Sequence, residues 1–475
     1  MEVHVSLVGR KNLSLEIYRQ LREAVLDGRL RPGDRLPATR ELARRLSVSR
    51  MTVTVAYDRL SAGGFVESRV GAGTFVSENV PLATGPSEEY GADGPVCPRP
   101  VWDSVRVSEV FARGALYDFR TGIPDAALFP YDAWRRLVAR QLRPGTVGPG
   151  FYAHPAGHRG LREAIARHIG VSRGVVTTAD DITVTNGTQQ ALDILARVLL
   201  DPGDPVAIED PGYVPPRLLF RSLGARVVGV PVDEEGLIVD ALPRRTRLVY
   251  ATPSHQYPLG MPMSLARRVA LLEWAERNNA AIIEDDYDSE FRFGGKPIEP
   301  LRALDSRGRV AYVGSFSKTM LPTLRIGFIV SPPSLRQAVQ RAKYVTDWHT
   351  PLFIQQALAQ FMDDGGFARH VRRMNRVYEA RHQLVVSTLV RDFADQLEII
   401  PSDAGLHVSA LARNASPDEM AVVVRRASEA GIEVLELSRH WLEGTGRAGL
   451  ALGYGAIPTD DIEAGLSRLR ECFDG

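Results

Sequence analysis

The sequence has little of several features that would place it in other classes of protein. It contains two cysteines, Cys97 and Cys472, in 475 residues, so a disulfide framework and a cysteine-rich metal site are both excluded. It has no run of about 18 apolar residues, and its N-terminus lacks the apolar core of a signal peptide. A membrane-spanning or secreted class is therefore not expected, and the sequence predicts a soluble cytoplasmic protein.

Lysine is the scarcest of the charged residues. Of 58 basic residues only four are lysines, at positions 11, 296, 318 and 343. Lys318 ends the small-residue stretch Gly314 to Lys318, which lies between the apolar runs 310–313 and 325–330. Both runs are typical of buried parallel strands, so Lys318 is predicted in a turn between two core strands.

A lysine in such a turn has a chemical use that arginine cannot replace. Arginine keeps its proton near neutral pH, whereas a lysine with a lowered pKa attacks a carbonyl and forms a Schiff base. Small neighbouring residues leave room for an aldehyde cofactor to approach. The alternative is an ordinary polar lysine in a turn, and the residues elsewhere in the chain decide between the two.

Charge is distributed unevenly along the chain, although the net charge is only +1. Residues 1–77 hold 13 basic and 8 acidic residues, and the remainder holds 45 and 49. Residues 78–115 are polar and rich in glycine and proline, which predicts a flexible linker or a partly ordered arm. We therefore predict a small basic domain (1–77), a linker (78–115) and a large, mildly acidic domain (116–475).

The basic domain has the pattern of a winged helix-turn-helix. Helical spacing predicts helices over 14–27, about 39–46 and from 50 onward, with Ser49 as the N-cap of the third, and a hairpin follows over 65–76. In this fold the last helix enters the major groove and the wing contacts the backbone. A plain three-helix packing domain with solvated arginines is the alternative. The predicted DNA-binding residues are Arg40, Ser49, Arg50, Thr52, Thr54 and Gly71.

The large domain alternates strand-like and helical segments, which predicts an α/β fold with a mostly parallel sheet covered by helices on both faces. Ligands of such sheets bind at the carboxyl ends of the strands. Polar groups follow the predicted strands there. Gly187 to Gln189 open a helix and form a phosphate cradle, which Arg325 completes. Tyr213 offers an aromatic ring, Asp285 a carboxylate for a ring nitrogen, and Lys318 an amine for an aldehyde. Together these groups predict pyridoxal 5′-phosphate (PLP) as cofactor.

Two sets of motifs resemble a known family. Leu36-Pro37-Ala38-Thr39-Arg40-Glu41-Leu42-Ala43, Val48-Ser49-Arg50 and Gly71-Ala72-Gly73-Thr74-Phe75-Val76 resemble the GntR-type bacterial regulators. The order and spacing of the cofactor residues resemble the fold-type I aminotransferases. The whole chain thus resembles the MocR subfamily, in which a winged helix-turn-helix is joined to an aminotransferase-like sensor domain.

The resemblance implies a role for each cofactor residue. Lys318 would form the Schiff base, Asp285 would pair with the pyridine nitrogen, Tyr287 with the ring hydroxyl, and Tyr213 would stack on the ring. Tyr152 would reach the cofactor of a neighbouring subunit. For His255, a turn-stabilising role and a cofactor contact both remain open, and Asp286 and Asp288 are expected to be helix-start residues or to lie behind the direct ligands. The phosphate would be held by Gly187, Thr188, Gln189, Ser315, Ser317 and Arg325.

Two positions depart from the aminotransferase pattern. Tyr257 stands where these enzymes carry an asparagine near the ring hydroxyl. Ala451 stands where they carry the arginine that binds the substrate carboxylate, and Arg447 and Arg217 are the candidates to replace it. Without such an arginine an amino-acid substrate loses its bidentate anchor, and binding weakens by several kcal/mol.

These observations predict a transcriptional regulator that binds an operator in double-stranded DNA as a homodimer. A homodimer whose two chains exchange their DNA-binding domains is one form of this prediction. Its effector is PLP itself or an amino acid or amine bound together with PLP, which points to genes of vitamin B6 or amino-acid metabolism. The alternative from another class is an active aminotransferase with an appended DNA-binding domain. A large domain that serves only as a dimerisation scaffold fits the cofactor residues poorly.

Overall fold

The computed structural model describes residues 5, 7, 12–69, 71–78, 80, 97–105, 114–143, 145, 150–294, 299–442 and 446–474. The chain forms two compact units, Met1–Arg99 and Pro100–Gly475. Most of the predicted linker (78–115), together with Lys11 and Lys296, lies outside the described residues, so the boundaries at 77 and 115 stay predictions. Within that stretch, Pro100–Ser104 forms a short 3-10 helix.

The first unit contains three helices and a hairpin, as predicted. Their apolar faces form one core, in which Ile17, Leu21, Val53 and Leu60 are fully or almost fully buried. The elements are α1 (Leu13–Leu26), α2 (Thr39–Arg45), α3 (Arg50–Ala62), β1 (Val66–Arg69) and β2 (Gly73–Val76), with the two strands antiparallel.

A capping side chain marks the start of the third helix but not that of the second. The Ser49 hydroxyl accepts a hydrogen bond from the Thr52 amide (3.1 Å), which satisfies one of the free N–H groups at the start of α3. Ala38 offers α2 no side-chain cap. Tyr57 of α3 donates its hydroxyl to the Pro37 carbonyl (2.8 Å) and so fixes α3 against the turn that leads into α2.

The second unit is an α/β domain whose helices alternate with strands over most of its length. Its strands are β3 (Tyr117–Asp118), β4 (Ile182–Thr185), β5 (Pro205–Asp210), β6 (Arg226–Asp233), β7 (Gly236–Leu237), β8 (Leu248–Ala251), β9 (Ala281–Asp286), β10 (Val310–Ser315), β11 (Gly327–Val330), β12 (Leu397–Ile399), β13 (His407–Ala412), β14 (Ile432–Glu433), β15 (Leu435–Glu436) and β16 (Gly449–Gly453). Its helices are α4 (Tyr131–Gln141), α5 (Arg159–Arg173), α6 (Thr188–Leu199), α7 (Val214–Ser222), α8 (Leu265–Arg277), α9 (Leu301–Leu304), α10 (Arg336–Asp347), α11 (Leu352–Asp363), α12 (Gly366–Asp392), α13 (Pro417–Glu429) and α14 (Ile462–Glu471).

The large sheet has the strand order β4-β11-β10-β9-β8-β5-β6-β7. Strands β10, β9, β8, β5 and β6 pair in parallel, and β4 runs in their direction because it pairs antiparallel with β11, which itself pairs antiparallel with β10. The carboxyl ends of six strands therefore lie along one edge of the sheet.

The prediction that residues 325–330 form another parallel strand is wrong. Strand β11 begins at Gly327, runs antiparallel to both of its neighbours, and leaves Arg325 outside. The chain turns back through a short 3-10 helix, Pro322–Leu324, and through Arg325 in a left-handed conformation (φ 52°). So short a connection holds no crossover helix, which a parallel neighbour would require.

A second, antiparallel sheet (β12-β13-β16-β15) packs with helices α12, α13 and α14 around a separate core. Ala451 lies in the middle of strand β16 of this sheet. Among the described residues, no helix is long and apolar enough to cross a membrane.

The carboxyl ends of β8 and β9 are tied to helix α5 by a buried ion pair. Arg173, the last residue of α5, donates Nε to Asp286 (2.9 Å) and Nη2 to the Ser254 hydroxyl (2.6 Å). Asp286 also accepts the hydroxyl of Tyr312 (2.6 Å). Asp286 is therefore a structural residue, and its two partners, Arg173 and Tyr312, hold the end of the strand that carries its neighbour Asp285.

Replacing Arg173 with methionine should lower the free energy of unfolding of the full-length protein by about 3–5 kcal/mol, because Asp286 would stay buried without its positive partner. The matched control is Arg159→Met on the same helix, which breaks an exposed pair with Glu163 (2.8 Å) and should cost at most about 1 kcal/mol. Urea unfolding followed by circular dichroism measures both. Equal effects of the two changes would contradict the structural role of Arg173.

Candidate functional site

A cavity of about 220 Å³ lies at the carboxyl edge of the large sheet. Loops that follow β5, β8, β9 and β10 contribute to it, together with the start of α6 after β4. Nine of the predicted cofactor residues line it: Thr188, Gln189, Tyr213, Asp285, Tyr287, Ser315, Ser317, Lys318 and Arg325. The structure thus brings together residues that are as far as 137 positions apart in the chain.

Lys318 lies in the turn after β10 and its amine points into the cavity. Its Nζ donates a hydrogen bond to the carbonyl of Gly122 (2.6 Å). Loss of solvent around the amine lowers its pKa, while the carboxylates of Asp288 and Asp285 oppose that change. A lysine whose pKa is lowered is more often neutral near physiological pH, and the neutral amine is the nucleophile.

Asp285 is placed at the end of β9, where it is only 3% exposed. Its Oδ2 accepts the hydroxyl of Tyr250 (2.8 Å), whereas its Oδ1 is buried and has no hydrogen-bond partner among the described residues. Burial raises the pKa of Asp285 to about 7. A buried carboxylate with one unused oxygen in a cavity is suited to a protonated ring nitrogen.

The other end of the cavity is suited to an anion. Helix α6 begins there at Thr188, after Gly187 in a conformation (φ 77°) that glycine favours, and the first backbone N–H groups of a helix attract negative charge. Arg325 donates Nη2 to the Asn186 carbonyl (3.0 Å) and packs so closely on Gly187 that a Cβ there would lie 2.5 Å from Nη2. The Ser315 hydroxyl accepts the amide of Ser317 (3.0 Å).

Aromatic side chains form the walls between these two ends. Tyr213 lies edge-on to Tyr257, with ring centroids 5.3 Å apart. The Tyr257 hydroxyl is hydrogen-bonded to that of Thr121 (2.9 Å), and burial raises the Tyr257 pKa to about 12, so it stays a neutral donor. The Tyr287 hydroxyl lies 3.1 Å from His255 Nδ1.

His255 and Asp288 form a buried pair behind Tyr287. His255 Nδ1 lies 3.0 Å from an Asp288 oxygen, and Asp288 itself lines the cavity although His255 does not. Asp288 thus lies at the cavity wall, and its expected role as a helix-start residue or a residue behind the direct ligands stays a prediction.

Several cavity residues were not predicted as ligands. They are Thr121, Gly122, Tyr250, Thr252, Pro322 and His407. Tyr250 could have been found from the sequence, since it lies in the apolar run 248–251. This run forms β8, which lies beside the strand that carries Asp285 and pairs Tyr250 with Ile283. Thr121 and His407 come from segments remote in sequence, and their approach depends on the packing of the second sheet.

Tyr152 does not line the cavity of its own chain. It is 76% exposed and lies edge-on to Trp348, with ring centroids 4.1 Å apart. Neither candidate substitute for the carboxylate-binding arginine lines the cavity either. Arg217 donates Nη1 to the Trp441 carbonyl (3.1 Å), and Arg447 lines a separate groove beside Met261 and Glu398.

In the first unit, the start of α3 forms an exposed polar surface. Arg40 and Arg50 are both exposed, and Arg50 Nε lies 3.4 Å from the Thr39 hydroxyl, which places the starts of α2 and α3 side by side. The hydroxyls of Ser49 and Thr52 bond to each other (2.8 Å), and Thr54 donates to the Arg50 carbonyl (3.0 Å). Gly71 is exposed in the hairpin turn with φ 77°.

Comparison with known proteins assigns both units to families. Residues 13–76 match the bacterial regulatory proteins of the gntR family, and residues 123–453 match aminotransferase class I and II. The chain is 39% identical to the probable rhizopine catabolism regulatory protein MocR of Rhizobium meliloti, over 96% of this chain and 93% of that protein. It is 31% identical to the HTH-type pyridoxine biosynthesis transcriptional regulator PdxR of Corynebacterium glutamicum, over 97% of this chain and 96% of that protein.

Two of the solved structures that are similar to the chain are aminotransferases. Kynurenine aminotransferase of Pyrococcus horikoshii, in complex with PMP, superposes with a TM-score of 0.72 and 26% identity over 79% of this chain and 96% of that one. The α-aminoadipate aminotransferase LysN of Thermus thermophilus, complexed with N-(5′-phosphopyridoxyl)-L-leucine, gives 0.71 and 30% over the same shares. With a gntR-type helix-turn-helix and an aminotransferase class I/II domain in one chain, the protein belongs to the MocR subfamily of GntR-type transcriptional regulators.

Proposed function

We propose that this regulator binds PLP in the cavity at the carboxyl edge of its large sheet and that occupancy of the cavity changes its affinity for operator DNA. The observation that carries the proposal is the arrangement of three groups around one cavity. Lys318 and Asp285, whose Oδ1 has no hydrogen-bond partner among the described residues, line it together with the start of α6 and Arg325.

Each functional group of PLP has a suitable partner among the residues of the cavity. The phosphate would lie against the backbone N–H groups of Thr188 and Gln189, the hydroxyls of Ser315 and Ser317, and Arg325. Asp285 would pair with the ring nitrogen, Tyr287 would serve the ring hydroxyl, and Tyr213 would cover a face of the ring. When bound, PLP supplies an aldehyde for capture by a lysine amine and a ring that withdraws electrons from the captured group.

Two side chains are already suited to bind PLP before it arrives. Burial favours the neutral, nucleophilic form of the Lys318 amine, and the hydrogen bond from Tyr250 fixes the position of the Asp285 carboxyl group. The low dielectric of the cavity strengthens each ionic contact.

Signalling requires two DNA-reading helices, so we propose a homodimer. Tyr152, Trp348 and the neighbouring Phe151, which is 81% exposed, leave an aromatic patch that suits contact with a second copy. Tyr152 would there reach the partner's cofactor. Cofactor occupancy would then bias the placement of the two DNA-binding domains, in the same polypeptides or exchanged, and half-site spacing would convert that placement into affinity.

Catalytic transamination is the second candidate, and the cavity gives it less support. Turnover needs two carboxylate-bearing substrates to be anchored in succession, and Arg325, which serves the phosphate end, is the only arginine among the described residues that line the cavity. The control of vitamin B6 or amino-acid metabolism genes follows from the proposed ligand.

Replacing Lys318 with alanine should abolish covalent cofactor attachment, because Nζ is the nucleophile. After incubation with PLP and reduction with borohydride, wild-type protein should gain the mass of one reduced cofactor on the peptide that contains Lys318, and the variant should gain none there. Lys318→Arg is the matched control, since it keeps the positive charge and should fail equally. In gel-shift titrations only the wild type should respond to PLP. Covalent labelling of the alanine variant at the same level would overturn the proposal.

Replacing Asp285 with asparagine should weaken PLP binding by about tenfold to a hundredfold, because one charge-assisted hydrogen bond is lost.

The same replacement should also change the stability of the cofactor-free protein. The folded pKa of Asp285 is about 7, above the ordinary value of 3.8, so its stabilising effect is complete below pH 3.8 and is lost as pH rises through 7. The wild type should therefore lose more unfolding free energy than Asp285→Asn between pH 5 and pH 9, as urea unfolding at each pH would measure. A steeper loss in the variant would contradict the raised pKa.

Replacing Arg50 with alanine should lower operator affinity by about tenfold or more, since Arg50 lies at the exposed start of α3. Arg59→Ala is the matched control: it removes an exposed arginine from the last turn of the same helix and should have a smaller effect. Fluorescence anisotropy at several salt concentrations measures both variants. Equal losses would show that α3 does not present its start to the DNA.

A further inference from the structure

The charges that line the cofactor cavity are not all used by the cofactor. In the proposed complex, Arg325 serves the phosphate, Asp285 the ring nitrogen, and Lys318 the aldehyde. The charged cavity residue left over is Asp288, which is 2% exposed and held by His255 Nδ1 at 3.0 Å. The cavity wall therefore contains an acidic side chain, held by His255, to which the proposed cofactor contacts assign no role.

The uncharged groups beside Asp288 include a further hydrogen-bond acceptor. His407 lines the cavity and uses Nε2 to bond the Pro258 carbonyl (2.9 Å), which leaves Nδ1 as an acceptor. Burial lowers the pKa of His407 well below its usual range, so the ring stays neutral. A ligand that brings N–H donors finds two acceptors here, Asp288 and His407.

A carboxylate finds no matching cation in the same place. Ala451 shares a sheet face with Ser409, its direct cross-strand partner, and Ser409 donates its hydroxyl to the Pro258 carbonyl (2.6 Å) beside the cavity. An arginine at 451 would extend toward that loop, whereas alanine offers no charge. Arg217 bonds the Trp441 carbonyl, and Arg447 lines a separate groove.

We propose that the ligand sensed together with the cofactor is a primary amine that carries a second cationic group and no carboxylate, with its distal ammonium bound by Asp288. The inference rests on the proposed function, since it gives a role to the charged residue that remains once PLP is bound. The distal group of the ligand must be positive, because a carboxylate beside Asp288 would meet a like charge in a cavity of low dielectric.

Isothermal titration calorimetry on PLP-loaded, full-length protein tests the proposal with three ligands of equal chain length. Putrescine has a distal ammonium, γ-aminobutyrate a distal carboxylate, and the corresponding amino alcohol a neutral hydroxyl. We expect putrescine to bind about tenfold or more tighter than the amino alcohol, and γ-aminobutyrate to bind most weakly. Binding of γ-aminobutyrate as tight as that of putrescine would overturn the proposal, because it would require a cation at the distal position.

The variant Asp288→Asn keeps an oxygen for His255 and removes the charge. It should bring the affinity for putrescine to within about threefold of that for the amino alcohol, whereas the exposed-site control Asp132→Asn should leave the preference as in the wild type. An unchanged preference in Asp288→Asn would overturn the role of Asp288. If this variant fails to fold by circular dichroism, the ligand series on the wild type still decides the ligand class.

Two readouts separate this inference from the proposed function. The absorbance of the bound cofactor and its borohydride-fixed mass at Lys318 are recorded before any amine is added. A loaded protein that prefers the carboxylate ligand overturns the present inference alone. A protein that takes up no cofactor overturns the proposed function and this inference with it.

Discussion

Exclusion of water from one edge of the large sheet is the constraint on which the chemistry of this protein depends. Inside that cavity an ammonium and two carboxylates lie within range of one another, and each is less well solvated than at the surface. Desolvation lowers the pKa of Lys318 and raises that of Asp285, while their mutual attraction acts in the opposite direction. The result is a lysine that gives up its proton more readily, as capture of an aldehyde requires, beside a carboxyl that holds its proton more tightly.

The surrounding structure keeps these groups apart from solvent and in fixed positions. Glu284 accepts the backbone amides of Leu301 and Arg302, and Glu209 accepts the amide and hydroxyl of Thr252. Burial raises the pKa of both carboxyls to about 7. They lie on β9 and β5, next to the residues that form the cavity, so the strand ends are positioned by buried hydrogen bonds as well as by apolar packing.

Much of this arrangement could be predicted from the sequence, because the spacing of apolar residues and the order of the motifs along the chain indicate it. These signals predicted the buried faces of α1 and α3, the N-cap at Ser49 and the strands that precede the cavity. The scarcity of lysine in the chain pointed to Lys318. The direction of β11 could not be read, since an apolar run has the same appearance in either orientation and the reversal depends on the left-handed Arg325. The approach of Thr121 and His407 to the cavity depends on packing between segments far apart in the chain. The roles of the individual cofactor and DNA-binding residues stay predictions.

The second described lysine gives the composition a chemical meaning. Lys343 is 0% exposed, and its amine is surrounded by acceptors on Gln190, Asp347 and Thr350. Among the described residues, Lys318 is thus the lysine whose amine reaches a cavity. Reactive aldehydes modify accessible amines indiscriminately, and a chain that carries its positive charge almost wholly as arginine presents few of them. Scarcity of competing amines elsewhere in the chain thus adds to the selectivity that the lowered pKa of Lys318 gives to the site itself.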